Sequence, residues 1–182
     1  SLIQQAEALC KDQPIVKLLP TPSRRIHLIV SGSEVYSGRI KDGFEPVVQK
    51  KVAEMGSELA DKKLATDDPD QISELIKNAR QAGAEIILVS GGMSVDPDDK
   101  TPEGIRRSGA KVEAHGFPIL PGSMFVMAYL GDTPVMGLSG CVLHDPFTAF
   151  DVLLPRLLAG EKITRADIMA MGHGGLQRKH DH

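Results

Sequence analysis

The chain has 182 residues, a formal net charge of −3 and a pI near 6.1, which is enough length for about one domain and lacks the basic balance of a nucleic-acid-binding face. Apolar residues make up 41%, enough for a core, but aromatics only 4%, so that core must be aliphatic. Cys10 and Cys141 form neither a Cys-x-x-Cys pair nor a disulfide framework, and no apolar stretch has the length of a membrane span or the pattern of a secretory leader; these features predict a cytoplasmic protein without membrane or nucleic-acid partners.

Gln4–Cys10 has weak helical character, Asp12-Gln13-Pro14 breaks it, and Leu19-Pro20-Thr21-Pro22-Ser23 is a turn-rich linker. Residues 1–23 therefore read as a tail or linker from an upstream region, an expectation that the missing initiator Met supports. Ile26–Val30 is the first strand, running into a loop of glycines and hydroxyls from Ser31 to Asp42 that fits neither GxGxxG nor a Walker loop. Asp42 and Glu45 resemble a capping box ahead of a helical face of Phe44, Val47, Val48, Val52 and Met55, which Gly56 closes. Glu58–Ala65 reads as a polar strand. Pro69 opens the next helix, whose Ile72, Leu75, Ile76 and Ala79 share one face and which ends at Gly83.

The apolar run Ile86–Val89 predicts a buried central strand. It leads into Ser90-Gly91-Gly92-Met93-Ser94, then the acids Asp96, Asp98 and Asp99, then Thr101-Pro102-Glu103, which reads as an N-cap and first helical turn. A strand follows over Ala110–Phe117, then a turn at Leu120-Pro121-Gly122-Ser123. Met124–Leu130 and Pro134–Leu138 predict a hairpin turning at Gly131-Asp132. Ser139-Gly140-Cys141 is a third small-residue loop at a strand end. Asp145-Pro146 predicts the start of an apolar helix kinked or interrupted near Pro155, and Thr164 with Asp167 a last capping box. Residues 24–176 then form the domain and 177–182 a disordered tail.

Strands alternating with helices predict an α/β protein, a three-layer α/β/α sandwich with a mostly parallel sheet and a late antiparallel hairpin. In such a sheet the loops after Val30 and Val89 open on one edge, where ligands bind. Glycine amides and the hydroxyls of Ser31, Ser33, Ser90 and Ser94 suit a phosphate or a pterin-like heterocycle. The acids Glu34, Asp42, Asp67, Asp96 and Asp99 suit a hard cation such as Mg2+, although Asp42, Asp67 and Asp68 also read as helix caps. A side chain at Gly92 would occupy the ligand's approach, so Gly92→Val is expected to abolish binding without unfolding the domain.

Ser-Gly-Gly-x-Ser-x-x-x-x-Asp, here Ser90 to Asp99, resembles the signature of the molybdenum-cofactor biosynthesis domain of MoaB/Mog, MoeA and gephyrin-type proteins. Ser31-Gly32-Ser33-Glu34 with Gly38 and Asp42, Leu120-Pro121-Gly122, and Gly137-Leu138-Ser139-Gly140-Cys141 are similar to that family's other loops, in the same order. The longer string Gly91–Pro102, with Leu154-Pro155-Arg156-Leu157-Leu158 and Gly172-His173-Gly174-Gly175-Leu176, resembles the C-terminal domain of longer molybdopterin-binding proteins.

The resemblance implies a MogA-like fold that binds molybdopterin or its adenylylated form, inserting molybdate as MoeA-like members do or adenylylating as MogA-like members do. It would make the chain a transferase. It implies Asp99 as the catalytic aspartate and, with Asp96, as the Mg2+ ligand. Gly91, Gly92 and Ser94 would line the pterin phosphate, with Gly32, Ser33 and Glu34 opposite and Ser90, Pro121, Gly122, Ser139 and Gly140 completing the binding set. It also implies self-association as a dimer or trimer and a biosynthetic or molybdoenzyme partner. Three positions depart from the family: Ser123 stands near its usual lysine, Ser139 replaces its proline, and Cys141 replaces Asn or Lys. A lost lysine favours binding over catalysis, which keeps a carrier or sensor module as the alternative. Asp98-Asp99-x-Thr101 also resembles the CinA domain, which acts on nucleotide pyrophosphates with Mg2+.

Overall fold

The structure, a computed structural model, describes residues 1–10, 18–93 and 100–173. Helix α1 spans Leu2–Cys10, and residues 18–24 form no element. Six strands follow: β1 Arg25–Ser31, β2 Glu58–Ala65, β3 Ile86–Ser90, β4 Lys111–His115, β5 Val126–Leu130 and β6 Thr133–Leu138. They form one sheet in the order β2-β1-β3-β6-β5-β4. β2, β1, β3 and β6 are parallel, while β5 pairs antiparallel with both β6 and β4. β5 is therefore the one reversed strand among these six.

The alternation of side chains across the pleat builds the three layers. Ile26, Leu28, Val30, Ile86 and Leu88 face helices α3 (Phe44–Glu54) and α6 (Ala149–Leu158), packing against Val48, Val52, Phe150 and Leu154. Ile29, Ile87 and Val89 face α4 (Pro69–Gln81) and α5 (Thr101–Arg107), against Ile72, Ile76 and Ile105. Central strands buried on both faces read as continuous apolar runs, as β3 does. β2 lies at the edge, and its polar sequence with Asp61, Lys62 and Lys63 fits an edge that resists further strand pairing. A bulge in the β1–β2 pairing between Ile26 and His27 brings His27 opposite Asp61. The short helices α2 (Ser33–Tyr36) and α7 (Arg165–Ala170) complete the described elements, with one turn of 3₁₀ helix at Gly140–Leu143.

Several local expectations shift. α6 starts at Ala149, not at Asp145-Pro146. Thr148 and Asp151 satisfy two orphan donors reciprocally, a stronger start signal than a lone Asp-Pro, and the Asp145 N–H is used by the Cys141 carbonyl. The helix continues through Pro155 to Leu158. Asp42 accepts from the amides of Phe44 and Glu45, but the Glu45 carboxylate turns to Lys62, so the box is not reciprocal. β4 is shorter than expected, and β5 begins at Val126, leaving Met124 in the preceding loop. The break expected at residues 12–14, and residues 174–182 with the predicted tail, lie outside the described residues.

Candidate functional site

The parallel strands end together. Ser31, Ala65, Ser90 and Leu138 close β1, β2, β3 and β6 on one edge of the sheet. The reversed β5 brings the β4–β5 loop to that edge too, because β4 ends and β5 begins there.

Backbone contact locks these ends. A Cβ on Gly91 would stand 2.0 Å from the Ser31 carbonyl oxygen, and its φ of +87° is a left-handed conformation, so the position requires glycine. The Ser31 hydroxyl donates to the Ser90 carbonyl at 3.0 Å. That commits its one proton, so in the 2.7 Å bond between the two hydroxyls Thr101 is the donor. Thr101 is thus the first residue of α5 rather than its cap, and its buried side chain ties that helix to the end of β1. At the other side the Ala149 N–H donates to the Pro121 carbonyl at 3.2 Å, while a Cβ on Gly122 (φ +106°) would lie 3.1 Å from Ala149 N. The Pro-Gly turn is clamped to the start of α6.

Between these clamps lies a hollow of about 340 Å³, within the range of small-molecule sites. Gly91, Gly92 and Met93 line it from the β3 loop, Ser123 and Met124 from the β4–β5 loop, and Leu138 to Cys141 from the β6 end. Phe44 closes it from α3. A Cβ on Gly140 would meet nothing within 4 Å, so this glycine leaves open space rather than relieving a clash. Ser139 Oγ in the wall is buried with no hydrogen-bond partner among the described residues, as is Ser90 Oγ at the end of β3. A buried unpaired hydroxyl costs about 1–3 kcal/mol, so Ser139 fits a ligand that pairs it. The glycine-bared wall and the Ser139 hydroxyl suit a heterocyclic ligand.

The structure thus gathers Gly91, Gly92, Ser139 and Gly140 around one hollow, with Pro121-Gly122 setting the turn that supplies Ser123 and Met124, while Ser90 ends β3 outside the described lining. Gly32, Ser33 and Glu34 are not in its described lining. Gly32 donates its N–H to the Ala65 carbonyl at 3.0 Å. Ser33 is held instead by Asp67, which accepts from its N–H at 2.9 Å and its hydroxyl at 2.7 Å, so Asp67 pins the first loop and does not cap a helix. Asp68 is the true cap of α4. Glu34 sits exposed in the first turn of α2. Ser94, Asp96 and Asp99 lie outside the described residues. Among the described residues no group of three His, Cys, Asp or Glu side chains is placed to hold a metal ion.

Phe44, Met93 and Met124 carry no chemical signature in the sequence and emerge only from the convergence of loops. The groups whose ionisation is displaced lie away from the described lining. Burial lowers the pKa of His27, partial desolvation and Arg106 lower that of the exposed His115, and burial raises that of Tyr129, whose hydroxyl oxygen accepts from the Ile163 amide. A second hollow of about 260 Å³ at the opposite edge is flanked by Arg24 and Glu85, which already pair with each other at 2.7 Å.

Residues 27–159, more than half of the chain, match the family model described as "Probable molybdopterin binding domain". The chain belongs to the molybdopterin-binding domain family. The CinA-like protein of Mycobacterium avium (strain 104) is 33% identical over 85 residues, covering 47% of this chain and 20% of that protein, so the match spans about one fifth of this relative's length. Among solved structures, the molybdopterin biosynthesis enzyme MoaB from Thermus thermophilus shares the fold with a TM-score of 0.61 at 20% identity, covering 76% of this chain and 98% of that one. The molybdopterin biosynthesis MoeA protein from Pyrococcus horikosii has a TM-score of 0.59 at 24% identity, covering 86% of this chain and 40% of that one. The molybdopterin-binding domain fold is therefore the one expected from the sequence, with a mostly parallel sheet and a late antiparallel hairpin. No described helix is long and apolar enough to cross a membrane.

Proposed function

We propose that the hollow at the carboxyl edge of the sheet binds molybdopterin or its adenylylated form, and that the domain acts in assembly of the molybdenum cofactor. The observation that carries this reading is the convergence of the β3, β4–β5 and β6 loops on one glycine-bared hollow in a chain of this family. The chain's own groups bind and orient. Backbone at Gly91, Gly92 and Gly140 lets a flat ligand approach, and Phe44 and Leu138 exclude water from its face. Asp67 steadies the first loop through Ser33. Asp99, the position that the resemblance marks, would serve with Asp96 as a carboxylate for Mg2+ and for the transfer step, whether molybdate insertion or adenylylation.

Molybdopterin titrated into wild type and Asp99→Asn tests the reading. Wild type binds, and the variant retains binding while losing turnover with Mg2+ and molybdate or ATP. No binding by wild type refutes the proposal. Binding without either turnover favours a carrier or sensor, a role that Ser123 and a described lining without lysine support. The CinA-like relative supports a second reading, Mg2+-dependent hydrolysis of a nucleotide pyrophosphate. Incubation with ADP-ribose and Mg2+ decides it, and absence of AMP removes it.

A further inference from the structure

Beneath α4 the inner strands present Ile29, Ile87 and Val89, and His27 stands in the same layer. His27 is 5% exposed, and its Nε2 has no hydrogen-bond partner among the described residues. Asp61 lies opposite it across the β1–β2 pair, but that carboxylate is engaged elsewhere. It accepts from the Lys62 amide at 2.8 Å and pairs with Lys63 at 3.4 Å. A buried polar atom without a partner is costly, and β1 does not require a histidine here, since leucine would fill the layer without that cost.

The layer is also unfilled at this point. The first turns of α4 pack Ile72 and Ile76 over the sheet, but its C-terminal end offers only Ala79 and Ala82. These short side chains leave a hollow of about 340 Å³ between α4 and the edge strand β2, a volume within the range of small-molecule sites. His27 and Ile29 line it from β1, Leu75 and Ala79 from α4, and Asp61 and Lys63 from β2. It shares no lining residue with the hollow at the carboxyl edge. Charge in this lining cancels. Asp61 and Lys63 neutralise each other, and burial holds the His27 imidazole below its ordinary pKa, so it is neutral in neutral solution. An ion entering would have to break that pair or stay uncompensated. A hydroxyl suits Nε2 in either tautomer, because it donates to a bare nitrogen and accepts from a protonated one.

We propose that the hollow between α4 and β2 is a second binding site, for an uncharged small molecule with an apolar body and one hydroxyl group, a phenol or an alcohol, and that His27 Nε2 pairs with that hydroxyl. The site is independent of the molybdopterin reading.

The test uses the full chain and three probes: phenol, toluene as its match in size without a hydroxyl, and benzoate as its charged counterpart. Each is titrated by calorimetry and followed through the His27 imidazole nitrogen resonances. Phenol binds wild type and shifts those resonances. Toluene binds about tenfold more weakly, one hydrogen bond's worth, and benzoate also binds more weakly than phenol. Excess molybdopterin leaves phenol affinity unchanged. His27→Leu removes the advantage of phenol over toluene. Ala82→Phe, which fills the hollow from the end of α4 and leaves His27 in place, abolishes phenol binding. No binding of phenol by wild type, equal affinity for toluene, tighter binding of benzoate, displacement by molybdopterin, or unchanged phenol affinity in either variant overturns the proposal.

Discussion

Glycines at the carboxyl edge look alike in the sequence and do different work in space. Gly91 is fixed by contact with Ser31, and Gly92, at φ +51°, by backbone conformation. A β-branched residue at Gly92 would add left-handed strain to any block of the ligand, so Gly92→Val mixes two effects that the sequence alone kept apart. Gly140 separates them, because it has ordinary φ and open space at its Cβ. Gly140→Val should lower molybdopterin affinity at least tenfold while keeping the melting temperature within about 2 °C of wild type. Calorimetry on both proteins checks this, and a matching loss of stability would contradict it. The Gly-Gly and Ser-Gly pairs were legible because backbone approach to a ligand selects glycine regardless of fold. Asp67 and Thr101 were misread as caps because their partners, Ser33 and Ser31, are remote in sequence and adjacent only once the sheet forms.

At the scale of elements, hydrophobic period gave the strands and long helices, since burial on a pleat or a helical face leaves a repeat of two or near 3.6. Helix starts were less secure. Asp145-Pro146 carries a start signal, but Thr148 and Asp151 bond reciprocally, and Lys51 from α3 donates both to Asp151 and to the Pro146 carbonyl. This cluster fixes where α6 begins and so where the Pro121-Gly122 turn is held. Thr148→Ala should cost about 1 kcal/mol from the lost cap, lowering the melting temperature by about 2–4 °C. Because Ala149 then holds the turn less firmly, molybdopterin affinity should fall as well. A thermal melt paired with a titration checks both, and a drop in affinity with no thermal change would show that the cap is not the cause.

For the whole molecule, acid is the expected weakness. His27 is buried within β1, with Asp61 raising its pKa and Arg25 and Lys63 lowering it, but burial dominates and holds it below its ordinary value of about 6.5. Above that value both folded and unfolded chains hold the imidazole neutral. As pH falls below it the unfolded chain takes the proton first, so stability declines until the folded pKa is passed. His115 is displaced in the same direction, through partial desolvation and then Arg106, but it is exposed at the end of β4 and its share is small. Urea midpoints between pH 7.5 and 5 should therefore fall for wild type and fall less for His27→Leu, with the slope from His115 remaining. An identical pH profile in the variant would show that another group governs. The sequence placed His27 in a strand but could not show it buried with no partner for Nε2 among the described residues, because that follows from how α4 and β2 flank it.

The single reversed strand also says where the chain can be lengthened. The turn at Gly131-Asp132 leaves the sheet at the edge remote from the hollow, and both residues are exposed. A reporter peptide or affinity tag spliced there would add only a modest loop-closure entropy and leave ligand capture intact. The same splice between Ser123 and Met124 would pry open the wall itself.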